Sequence, residues 1–171
     1  MKHHFRADGG TYHVLNYSQK DGRIQEIRRG QGASCFTAWS RGQSWAIYGY
    51  TMMYRETKKK EYLDFAQKVA DYAINHPNMP EDGIPYWDFG APGEERDSSA
   101  ASIMAASLLE LSTYVPAPLS KVYRDFAVKQ LLSLASPAYF SEGDEIGHFL
   151  LKLSEGELEL AGHGGDGLAE G

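Results

Sequence analysis

The segment Trp39-Ser40-Arg41-Gly42-Gln43-Ser44-Trp45 sets two indoles and one guanidinium within two helical turns, with His13 and Gln31 upstream. An indole offers an apolar face that stacks on the apolar face of a sugar ring, and a guanidinium forks onto a carboxylate. Residue types in this pattern point to a pocket for an acidic sugar. Positions 41 and 45 are four apart and share a helix face, whereas position 39 falls at or before the first turn. Spacing alone leaves a second reading open, in which the tryptophans are core and Arg41 caps a neighbouring helix.

The remaining candidates are each open to a plainer role. His13, in Thr11-Tyr12-His13-Val14, can point into a cleft, although a lone histidine in a strand-like segment is ordinarily structural or at the surface. Gln31 lies between Gly30 and Gly32 and can bind a hydroxyl or simply be a solvated loop amide. Trp87, in Gly83-Ile84-Pro85-Tyr86-Trp87-Asp88-Phe89, can add a sugar contact or pack its loop onto helices. Asp88 in the same loop is a candidate general acid, or an acceptor for nearby backbone amides. No convincing pair of catalytic carboxylates stands beside the tryptophan cluster. His3, His4, His76, His148 and His163 lack metal-ligand spacing. No phosphate loop, Ser-His-Asp signature or nucleotide fingerprint is present either.

These side chains need elements to hold them. The 171 residues suffice for one core, and 42% hydrophobic with 23% charged residues is ordinary for a globular protein. A net charge of −6 argues against a nucleic-acid or anionic-membrane surface. An acidic ligand then requires local positive charge, for which Arg41, Arg28 and Arg29 are nearest. Cys35 is the only cysteine, so no internal disulfide forms, and it reads as a buried small hydrophobe. No apolar run approaches the ~20 residues of a membrane span, and Met1-Lys2-His3-His4-Phe5 is not a signal-peptide start.

Turn signals at Asp8-Gly9-Gly10 and Asp21-Gly22 predict a small hairpin over 11–29. Helices are expected over 37–56, 59–75, from Asp97 or Ser98 to Ser112, and over 120–135, with Pro116 and Pro118 breaking the chain before the last. The motif Tyr62-Leu63-Asp64-Phe65-Ala66 returns as Tyr123-Arg124-Asp125-Phe126-Ala127, and His76-Pro77 as Ser136-Pro137. The repeated unit is a helical hairpin followed by a loop. One hairpin cannot bury its own apolar face, so neighbours must stack. A repeat near 60 residues suits an α/α toroid whose loops line a central cleft, and a closed ring of six would need about 350 residues. The expected fold is therefore all-α, an incomplete (α/α)6 toroid over 1–153 with a small N-terminal hairpin. The glycine-rich 154–171 reads as a disordered tail. Two hairpins of an incomplete ring leave apolar edges exposed, which predicts self-association.

The stretches Phe5-Arg6-Ala7-Asp8-Gly9-Gly10-Thr11-Tyr12-His13-Val14, Gln31-Gly32, Ala38-Trp39-Ser40-Arg41-Gly42-Gln43-Ser44-Trp45-Ala46-Ile47-Tyr48-Gly49-Tyr50 and Asp82-Gly83-Ile84-Pro85-Tyr86-Trp87-Asp88-Phe89 strongly resemble the unsaturated glucuronyl hydrolases of glycoside hydrolase family 88, over about residues 3–153. The unsaturated rhamnogalacturonyl hydrolases share the ring fold and the Trp-x-Arg-Gly core, but usually vary at the position of Gln43. The resemblance implies no metal or cofactor and an unsaturated uronic-acid oligosaccharide as partner. It places His13, Gln31, Arg41 and Trp45 at substrate-contacting positions, with Trp39 and Trp87 as further candidates. It also implies enol-ether hydration driven by an aspartic acid. The family's two catalytic aspartates precede the Thr-Tyr-His-Val motif, which here starts at residue 11. The catalytic residues are thus unassigned, and a truncated form with its true N-terminus absent is expected, from a cytoplasmic or periplasmic enzyme by resemblance. Three alternatives stand beside it: a non-catalytic carbohydrate-binding module, a structural α-hairpin module, and a relative of the unsaturated rhamnogalacturonyl hydrolases.

Overall fold

The structure, a computed structural model, describes residues 3–141 and 150–152. The expected tail at 154–171 and the boundary at 153 lie outside the described residues. Strands β1 (Val14–Tyr17) and β2 (Ile24–Arg28) form an antiparallel hairpin with Val14 opposite Arg28, inside the predicted 11–29. Four helices follow: α1 (Ser40–Thr57), α2 (Lys60–Ile74), α3 (Ser98–Leu111) and α4 (Ala117–Leu134), with a 3-10 turn at Ser112–Tyr114.

Two of the helix starts differ from the sequence expectation. Helix α1 begins at Ser40 because Trp39 is held extended, paired antiparallel with Asp88. The Phe89 N–H donates to the Ala38 carbonyl at 3.0 Å and the Ser40 N–H to the Trp87 carbonyl at 3.0 Å. Helix α4 begins at Ala117, so Pro118 lies inside its first turn instead of breaking the chain. A first-turn N–H has no intrahelical acceptor in any case, so proline there forfeits no bond.

Helices α1 and α2 form one hairpin, α3 and α4 the next, and α1 packs along α3. The two pair at matching ends. Near their starts Arg41 meets Asp97; near their ends Arg55 meets Glu110 at 3.1 Å. Thus α1 and α3 run parallel, as neighbouring inner helices of an α/α ring do. Their contact and the α2 face are built largely from small residues. Ala66, Val69, Ala70 and Ala73 of α2 are fully buried against Ile47, Met104, Ala105 and Leu108, with Tyr123 and Ala127 of α4 completing the cluster. Alanine at helical spacing lets backbones approach, and Met and Leu fill the seam. Among the described residues no helix is long and apolar enough to cross a membrane.

Candidate sugar site at the start of the first long helix

Trp39 sits at the N-cap of α1 and its extended backbone is fixed by the Asp88 pairing. Both His13 and Arg41 pack on its indole: the His13 ring centroid is 4.6 Å away, and the Arg41 guanidinium carbon is 5.2 Å from the ring. The Arg41 Nε lies 2.9 Å from Oδ2 of Asp97. Asp97 is fully buried, and its Oδ1 accepts the Ala100 N–H at 2.7 Å as the N-cap of α3. Arg41 therefore does meet a neighbouring helix cap, while its side chain remains 19% exposed over Trp39.

His13 is delivered by the stretch just before β1. Its Nδ1 accepts the Gln31 N–H at 2.6 Å. A ring nitrogen that accepts carries no proton, so the neutral imidazole holds its proton on Nε2. Gly30 makes this approach possible: it has φ +60°, and a Cβ there would lie 2.2 Å from His13 Nδ1. The Gln31 side chain itself is exposed.

A cavity of about 640 Å³ opens along this face of α1. His13, Trp39 and Trp45 all line it, together with Thr11, Tyr12 and Gly42 at one end and Met52, Met53 and Tyr62 at the other. Trp45 is 52% exposed and meets Tyr48 edge-on at 5.7 Å, so it is not a core tryptophan. The expected residues thus divide. His13, Trp39 and Trp45 share the cavity wall. Arg41 joins through Trp39, and Gln31 through His13. Trp87 does not line this cavity; its indole N–H donates to Glu94 at 2.7 Å.

Asp88 does not act as an open acid. It is fully buried, and its Oδ2 accepts from the Ala33 N–H at 3.0 Å and the Thr37 hydroxyl at 3.1 Å, its Oδ1 from the Gly90 N–H at 2.7 Å. These bonds are to backbone and loop, the plainer of the two roles the sequence left open. Cys35 is half-buried, not buried, and its thiol donates to the Ile27 carbonyl at 3.5 Å.

One contributor stood out in the sequence only as a motif position, without a role. Gln43 is fully buried, with its amide nitrogen donating to the carbonyls of Gly9 (3.0 Å) and Val69 (3.1 Å) and its oxygen accepting the Thr11 N–H at 3.1 Å. It ties the segment before β1, and α2, to the start of α1. A glutamine flanked by Gly42 and Ser44 on the helix face away from Arg41 was the available signal. Among the described residues no group of three or more His, Cys, Asp or Glu side chains could hold a metal ion.

A stacked parallel pair of helical hairpins of this kind is part of an (α/α)6 toroid, and homology supports membership in a glycosidase family. Within that class the chain is strongly homologous, in sequence and in fold, to the unsaturated glucuronyl hydrolases. It is 42% identical over 159 residues to the unsaturated glucuronyl hydrolase of Formosa agariphila, matching 91% of this chain and 39% of that protein. It superposes on the crystal structure of an unsaturated glucuronyl hydrolase specific for heparin with a TM-score of 0.87 at 40% identity, over 94% of this chain and 44% of that one. For the unsaturated glucuronyl hydrolase of Bacillus sp. GL1 the values are 0.78 and 29%, over 86% and 40%. The chain therefore spans well under half the length of these relatives. No family model matches it.

Proposed function

We propose that this chain is a member of the unsaturated glucuronyl hydrolases, glycoside hydrolase family 88, and that its cavity holds the 4,5-unsaturated uronic acid at the end of an oligosaccharide. The observation that carries this is the shared wall: His13, Trp39 and Trp45 line one cavity, and Arg41 stacks on Trp39, one of its lining residues. Trp39 and Trp45 offer apolar faces to the sugar ring. Arg41 supplies the positive charge for the uronate carboxylate, and the Nε2–H of His13 is a donor for a ring oxygen. Gln31 contributes through its backbone N–H on His13, and Trp87, whose indole N–H is turned to Glu94, is given no sugar contact.

The reaction is hydration of the enol ether. An acid delivers a proton to C4, water adds its oxygen to C5 and returns a proton to a base, and the resulting hemiketal opens, releasing the remaining saccharide as an alcohol. The acid is not drawn from the two fully buried aspartates of the described residues. Asp88 is consumed by loop bonds, and Asp97 by the α3 cap and Arg41. Sugar contact is accordingly the part of the chemistry assigned to these residues, and the proton donor is assigned elsewhere. The test follows loss of the enol-ether ultraviolet absorbance of an unsaturated chondroitin or hyaluronan disaccharide alongside equilibrium binding. Saturable binding without turnover is expected from the folded 171-residue chain. Turnover would place the acid within it, and absence of binding would remove the sugar from the cavity.

A further inference from the structure

We infer that Asp88 is a positioning residue of this cavity, which sets the loop 30–37 and through it the placement of Gln31 and the tautomer of His13; the inference rests on the function proposed for the pocket. Asp88 touches both sides of the site at once. Its backbone pairs with Trp39, and its carboxylate holds the loop that carries Gln31. From Ala33, bound to Oδ2 at 3.0 Å, the chain runs back through a turn closed by the Gly32 N–H on the Arg29 carbonyl (3.1 Å) to Gln31. The Gln31 N–H then reaches His13 Nδ1. The loop has little latitude, since a Cβ at Gly90 would stand 2.1 Å from Thr37 Cγ2.

The chemistry of the acceptor matters as much as its position. Three donors converge on Asp88: two amide N–H groups and one hydroxyl. An ionised carboxylate accepts on both oxygens. An asparagine accepts on one and turns an NH2 toward the other donor. Asp88→Asn therefore sets donor against donor at either Ala33 or Gly90 and releases one side of the loop. Thr37→Val removes one of the three bonds, and Thr37→Ser retains it.

The experiment records the imidazole 15N signals of His13 in the full chain at neutral pH, assigned by their loss in His13→Gln. Affinity for an unsaturated chondroitin disaccharide is measured in parallel. Wild type and Thr37→Ser are expected to show one fixed Nε2–H tautomer. In Asp88→Asn and Thr37→Val the signals move toward the average of two exchanging tautomers, and the dissociation constant rises about tenfold, the effect of one charge-assisted bond. If Asp88→Asn does not fold, Thr37→Val decides. An unmoved His13 signal in folded Thr37→Val overturns the inference, whether or not binding weakens. A His13 response in the variants of a chain that binds no sugar supports the role of Asp88 in the loop and overturns the function proposed for the pocket instead.

Discussion

The Nε of Arg41 and the Oδ2 of Asp97 lie 2.9 Å apart and join the starts of the two inner helices beside Trp39. Asp97 has two tasks there: it caps α3 and faces a guanidinium that is largely out of water. Removing one partner of such a pair leaves the other charge uncompensated, which costs more than the pair itself contributes. Asp97→Ala is expected to lower stability by about 3 kcal/mol in urea unfolding. Asp97→Asn keeps a capping oxygen and should lose clearly less. Equal losses would mean that the charge facing Arg41, and not the cap, accounts for the effect.

The two tryptophans should separate binding from folding. Trp45 is 52% exposed, so Trp45→Ala is expected to cost less than about 1 kcal/mol of stability while weakening sugar affinity. Trp39 is pinned by its pairing with Asp88 and packed by His13 and Arg41, so Trp39→Ala should affect both. Unfolding of the Trp45→Ala chain would favour the purely structural hairpin module.

Gly30→Ala tests the close approach of the loop to His13. At φ +60° an alanine costs about 1 kcal/mol, and its Cβ would fall 2.2 Å from Nδ1. The ring must move, so Gly30→Ala is expected to weaken sugar binding far more than it shifts the urea midpoint. Loss in the midpoint with unchanged binding would contradict the place given to His13.

How much of this was legible in the sequence differs from element to element. Helix α2 falls within one residue of its expected ends because Tyr62, Phe65, Ala66, Val69, Ala70 and Ala73 carry the helical period locally. The start of α1 does not, because what holds Trp39 extended is a loop in the following segment, around Asp88. The same applies to the site. Residue types picked out His13, Trp39, Arg41 and Trp45, but the partners that hold them are distant in the chain: Asp97 for Arg41, the Gln31 backbone for His13, Gly9 and Val69 for Gln43. No periodicity records a contact of that kind.

Alkaline pH should destabilise the fold through Tyr139. Burial, followed by its hydrogen bond to Asp82 at 2.8 Å, pushes its hydroxyl from 10.0 up to about 12. Tyr123, buried and bonded to Asp71, is also raised. The folded state thus disfavours the phenolate. Stability from these groups is fully present below pH 10, where folded and unfolded tyrosines are both protonated, and is lost as pH rises through the folded value. Urea midpoints are expected to be flat up to about pH 9 and to fall between 10 and 12, with a smaller fall in Tyr139→Phe.

Helix α4 exposes Val122, Val128, Leu131 and Leu132, the last 69% exposed. Val128, Leu131 and Leu132 share one face at helical spacing, and an exposed apolar face favours self-association. Sedimentation equilibrium is expected to show concentration-dependent association that Leu132→Glu reduces. A monomer at every concentration would contradict this.

The central claim is that the cavity beside Trp39 and Trp45 holds an unsaturated uronate through Arg41. Tryptophan fluorescence of the folded chain, titrated with a 4,5-unsaturated glucuronyl disaccharide, tests it most directly. A saturable change is predicted for the wild type, with affinity lowered at least about tenfold in Arg41→Lys, because an ammonium cannot reproduce the planar fork. No saturable change, or the same affinity in Arg41→Lys, would contradict it.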